Sequence, residues 1–205
     1  MKIRIVKENV NELMGPDPRR TYDSPSLDDL QNMLFLLGLY PGIGNVADIA
    51  NAGISLMRGN KVDAFIYILA AVPLGGAVIA PALKVMKTKG LGAGVKALVP
   101  ILKKALGPNW NKVIIERSRP FFVRGQYKIV KLAWRFSGNA QFAREAHILW
   151  LSVDIWWQLS VAAIAIGGEA VVLPAWEKAQ EMAEKESAKT RDKLFDQLNI
   201  PLPKE

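Results

Sequence analysis

The chain has no cysteine, so it offers neither a disulfide framework nor thiolate chemistry. It has one histidine, His147, and no second His or Cys to complete a metal site, so no metal or other cofactor is expected. His147 sits in an apolar context and reads as a satisfied core residue before a catalytic base. Carboxylate pairs at helical spacing beside a polar stretch are also missing, and Glu116 stands isolated among bases, so acid–base catalysis has no visible support and no small-molecule substrate is expected. Gly42 and Gly44 do not make a nucleotide loop. No strand pattern precedes them, and neither a third fingerprint glycine nor a Gly-Lys-Ser/Thr follows. The opening MKIRIVKENVNELM mixes charges without an apolar run and does not read as a secretory signal. Sustained alternation of apolar and polar residues is absent as well, so the fold class expected is all-α.

What is present is an unusual pairing. Half of the 205 residues are hydrophobic, yet the formal net charge is +8. The charge is concentrated: Lys84 to Arg144 holds fourteen Lys and Arg against Glu116 alone, fourteen minus one giving +13. Surplus cations on an apolar chain point to anionic partners, either lipid headgroups or nucleic acid phosphate.

Three regions follow from the punctuation. Residues 1–23 read as a short amphipathic helix on Ile3, Val6, Val10 and Leu13, then a linker broken by Pro16 and Pro18. Residues 24–107 read as apolar helical hairpins. Ser26 and Asp29 resemble a capping box, Pro41-Gly42-Ile43-Gly44 makes a turn, Asn45 caps the next helix, and Gly59 closes it in a left-handed conformation. From Ala64 to Leu83 twenty residues carry no charge. Pro73, Gly75 and Gly76 interrupt them, so the run is expected as a hydrophobic hairpin with a break at those three positions. Its arms either bury in a core or dip into a bilayer. A glycine-rich stretch at 90–94 leads to an element at 95–106 interrupted by Pro100.

Residues 108–205 form the basic, tryptophan-rich region. Helices are expected at 109–117 and 126–136, separated by Pro120 and Gly125, then a long apolar element from Phe142 to Ile166 and a charged C-terminal helix with Pro174 at its first position. Arg124, Lys128, Lys131 and Arg135 step by four, three and four, which sets all four on one helix face as a candidate anion-binding stripe for lipid or nucleic acid. Tyr127, Trp134 and Phe136 interleave with them and suit a bilayer interface, base stacking or simple core packing. Asp154 lies within the cluster Trp150, Trp156 and Trp157. Two accounts fit it: a core salt bridge to a residue of the basic block, or, with Glu169, a protonation switch for insertion.

Residues 37–87 carry an apolar lead, a Pro-Gly-x-Gly turn, an Asp-containing helix, a Gly turn and an apolar helix ending in Pro, with Pro41, Gly42, Gly44, Asp48, Asn51, Gly59, Asp63, Pro73 and Gly76 at the pattern positions. This stretch resembles the hydrophobic "pre-toxin" module of secreted polymorphic toxins and related segments in virion proteins of tailed bacteriophages. The toxins follow the module with an enzymatic domain, and no catalytic constellation follows it here. The resemblance therefore implies a non-enzymatic, virion-associated protein. It would be located in the particle, reach the host membrane on delivery, and have other virion proteins or further copies of itself as partners. The alternatives are a structural assembly subunit whose apolar helices are core or interface, and a pore-forming effector.

Overall fold

The computed structural model describes residues 44–71, 76–167 and 172–203. The expected N-terminal helix, its linker, the Ser26 box, Pro41, Gly42, Pro73, Gly75 and Glu169 lie outside the described residues. Those described form α-helices and no strand: α1 (Gly44–Met57), α2 (Lys61–Ala71), α3 (Gly76–Lys89), α4 (Leu91–Leu106), α5 (Trp110–Ser137), α6 (Ala140–Gly167) and α7 (Trp176–Gln197). The all-α expectation holds.

The helices pair along the chain, α1 with α2, α3 with α4, α5 with α6 and α6 with α7; α1 and α2 then rest on α6. One hydrophobic cluster runs from Ile49 to Ile200 through all seven helices. Gly44 opens α1, one residue before the expected cap Asn45. Gly59 takes a φ of 76° in the turn between α1 and α2, a left-handed conformation open to glycine at little cost. Asn60 then caps α2. Its Oδ1 accepts from the Asp63 amide at 3.2 Å and its Nδ2 donates to the Asp63 carboxylate at 2.6 Å, a reciprocal cap.

Within the uncharged run the described helices are α2, to Ala71, and α3, from Gly76; the expected break at Pro73 and Gly75 lies outside the described residues. The two arms of the run are not each other's main partners, however. α2 packs chiefly on α1 and α3 on α4, with Phe65, Ile68, Leu69, Ile79 and Ala82 all buried.

Proline placement corrects two expected interruptions. Pro100 and Pro120 do not break helices; they sit inside α4 and α5, as Pro81 sits inside α3. A proline removes one helix hydrogen bond and costs about 3 kcal/mol in a helix interior. All three rings are exposed, so they face away from the packed side, and Lys96 and Glu116, whose carbonyls lose the donor in α4 and α5, are exposed residues too. Packing on the opposite face holds each helix together.

Gly94 and Gly125, read from sequence as loop and breaker, are likewise helical and buried. A Cβ on Gly94 would overlap Met86 of α3, and one on Gly125 would overlap the ring of Trp150 on α6. Their role is close approach of two helices. Pro174 precedes α7, which starts at Trp176, and its carbonyl accepts a hydrogen bond from Trp156 Nε1 at 3.1 Å.

Candidate functional site: a cationic face on α5

Continuity of α5 through Pro120 sets the geometry of the basic region. At 3.6 residues per turn Arg117 falls on the same face as Arg124, Lys128, Lys131 and Arg135, the five lying within a sector of roughly 60°. They span roughly 27 Å along the helix at 1.5 Å per residue. All five are exposed, while Phe122, Ile129 and Ala133 on the opposite side of α5 are buried in the core. Among the described residues none of the five makes an ion pair; the side-chain pairs there are Lys185–Glu181, Lys189–Glu186 and Arg191–Asp192, all on α7. Like charges held along one rigid rod repel unless an external anion neutralises them. Arg117 escaped the sequence reading for a physical reason, because a break at Pro120 would have placed it on a different helix.

The interleaved aromatics play another part. Trp134 and Phe136 are half-buried against the core, and Phe136 packs on Phe142 of α6 with ring centroids 6.3 Å apart. Tyr127 is exposed, but its hydroxyl donates to Gln197 Oε1 on α7 at 2.6 Å. The face is thus a stripe of cations rather than a stacking platform.

The tryptophans of α6 are architectural. Trp150 Nε1 donates to the Phe122 carbonyl at 2.8 Å, and Trp157 Nε1 donates to Ser118 Oγ at 3.1 Å. Both bonds reach across to α5, and Phe65 of α2 lies 5.3 Å from the Trp157 ring. Asp154 forms no salt bridge among the described residues, which corrects the first account of it. Its carboxylate accepts from Gln158 at 3.0 Å, and burial raises its pKa against smaller opposing effects of that bond and of the nearby Arg119.

His147 is completely buried and fully partnered, as the sequence suggested. Gln126 Nε2 donates to His147 Nε2 at 2.5 Å, which puts the ring proton on Nδ1, 3.0 Å from Ser187 Oγ. Burial, helped by the charge of Arg191, lowers its pKa to about 4, so the ring is neutral at pH 7. A Ser–His contact of this length is also what a nucleophile and its base require. Here both residues are enclosed and the other ring nitrogen is held by an amide, so no substrate reaches them. Among the described residues no group of three His, Asp or Glu converges to hold a metal.

No known family matches the sequence, and no curated protein or solved structure is significantly similar to it. The likeness of residues 37–87 to the toxin and phage module therefore stands on its residues alone. Of its pattern positions, Gly44, Asp48, Asn51, Gly59, Asp63 and Gly76 fall within described helices and turns.

Proposed function

We propose that this chain is a non-enzymatic, virion-associated protein of bacteriophage type that holds packaged nucleic acid against the outer face of α5. The observation that carries this reading is the row of five exposed cations without ion pairs among the described residues, Arg117, Arg124, Lys128, Lys131 and Arg135. Phosphate along a nucleic acid backbone is the polyanion whose repeated charge suits a straight cationic rod. Beside the row the exposed large apolar residues are Val123 and Tyr127, too little to seat that face in a bilayer. The virion setting comes from the resemblance of residues 37–87.

The test is fluorescence anisotropy with duplex DNA at several salt concentrations. Changing Arg124, Lys128, Lys131 and Arg135 to Gln should weaken binding by about a hundredfold or more at low salt, and should flatten the log–log salt slope by roughly 0.9 for each phosphate no longer neutralised. Unchanged affinity in that variant rejects the reading.

A second reading, an assembly subunit, is favoured by the fate of the apolar runs. α6 is long and apolar enough to cross a membrane, yet its exposed residues are Gln158, Ala165, Ile166 and Gly167, and the other twenty-four face neighbouring helices at least in part. A fixed oligomer without affinity for DNA would decide for that subunit.

A further inference from the structure

The row on α5 is not evenly spaced, and its one irregularity carries information. Arg124, Lys128, Lys131 and Arg135 follow one another at four, three and four residues, roughly 4.5–6 Å apart along the helix. Arg117 precedes Arg124 by seven residues, roughly 10 Å. In that interval the outward positions are Pro120, exposed, and Phe121, half-buried, and neither carries charge. The face is therefore a block of four cations, a neutral gap and a single outlying guanidinium.

A polyanion has to match both the block and the gap. The whole row, roughly 27 Å, covers about eight base pairs of a duplex at ~3.4 Å each. Over that length each strand turns through about three-quarters of a circle. No single strand of a double helix stays beneath a row held on one side of α5, so the row meets phosphates of both strands with a groove between them. The neutral interval is close to the ~12 Å width of the major groove, where no phosphate lies beneath the protein.

What surrounds the row argues against the other ways of holding nucleic acid. A helix seated inside the major groove has phosphate on both walls, and needs cations on both flanks with base-reading side chains between them. The row occupies one sector of roughly 60°. No Asn, Gln, Ser or Thr of α5 is exposed. A single strand binds best where aromatic faces stack on its bases. Tyr127, the exposed aromatic of α5, is tied through its hydroxyl to Gln197.

We infer that α5 lies across the outside of a double helix and bridges its two strands over a groove, with Arg117 on one backbone and the block from Arg124 to Arg135 on the other. The inference rests on the nucleic acid reading above and adds the form of the ligand: double-stranded, gripped by its phosphates, with no sequence read. Arg117 is then the residue that distinguishes a duplex from a single strand. A lone strand held by the block presents no second backbone to the outlier.

The test is fluorescence anisotropy of the full chain at low salt with three probes. Two are duplexes of unrelated sequence, each of about twenty base pairs or two helical turns, and the third is an oligo-dT of equal length. Wild type should bind the duplexes within about twofold of each other, and about tenfold or more tighter than oligo-dT. Arg117→Gln should weaken duplex binding about tenfold, flatten its log–log salt slope by roughly 0.9, and leave oligo-dT within about twofold. Arg117→Lys should keep most of the duplex affinity. Arg119→Gln removes the same charge from an exposed position roughly 150° around the helix, and should bind all three probes like wild type. Circular dichroism melts confirm that each variant is folded before its result is scored. Oligo-dT bound by wild type as tightly as duplex overturns the inference and leaves the nucleic acid reading standing. A strong preference between the two duplexes does the same, as does an equal loss in Arg117→Gln and Arg119→Gln, which would make the effect one of net charge. Binding to none of the probes overturns both.

Discussion

α5 and α6 have the same length and lie side by side, yet they are chemical opposites. α5 carries seven Lys and Arg with Glu116 its sole acid, whereas α6 carries Arg144, Glu145 and Asp154 among long apolar stretches. The difference follows from position. α6 is enclosed by α1, α2, α5 and α7 and must offer apolar surface in nearly every direction. α5 is covered on one side and is free to charge the other. An apolar run long enough to span a bilayer can thus arise simply from being central, and hydropathy alone does not distinguish the two situations.

Protonation should disturb the shared interface most. The unfolded chain takes up a proton on His147 near pH 6.5, and the folded chain only at about 4. Between those values the unfolded state alone binds the proton, so His147 lowers stability as pH falls through this window and adds no further loss below it. The full contribution is about 3 kcal/mol. Denaturant titrations at pH 7.5 and 4.5 should show wild type losing more stability than His147→Gln by most of that amount. Equal losses would mean that the ring is not held neutral by its surroundings.

Gly125→Ala should come next, at about 2 kcal/mol of destabilisation measured by thermal or chemical unfolding. The added methyl group meets a Trp150 ring that its bond to Phe122 prevents from swinging aside. A neutral result would show that α5 and α6 do not approach so closely. The smallest effect belongs to the opposite face of α5. The quadruple Gln variant of the stripe should unfold within about 0.5 kcal/mol of wild type, or slightly later as repulsion is relieved. A large loss would place those cations in the architecture instead of on a binding face.

The sequence was most legible where side-chain periodicity or a special backbone angle decided the outcome: the all-α class, the left-handed Gly59, and the buried, partnered His147. It misled where proline and glycine were read as punctuation. Pro100 and Pro120 act locally as breakers, but tertiary packing overrides a local penalty when the ring faces water. Gly94 and Gly125 carry no local signal that separates a loop from a close helix crossing; only the partner, Met86 or Trp150, reveals it. That error also hid Arg117, whose place in the stripe depends on the helix staying whole. Asp154 was legible as an acid withdrawn from water, but its partner was not. Gln158 lies one turn along the same helix, and no charge pattern marks an uncharged amide as the preferred neighbour.

The seat of Trp150 on Gly125 and the hydrogen bonds of Trp150 and Trp157 to α5 set the alignment of α5 and α6. The Gln126–His147–Ser187 bridge extends that alignment to α7. A shift of one helix along another would leave the buried imidazole and hydroxyl without partners, at about 1–3 kcal/mol for each, and would release the half-buried amide. Three modest side chains thereby act as a notch that links all three helices, and with it the cationic face of α5 keeps one fixed relation to α7.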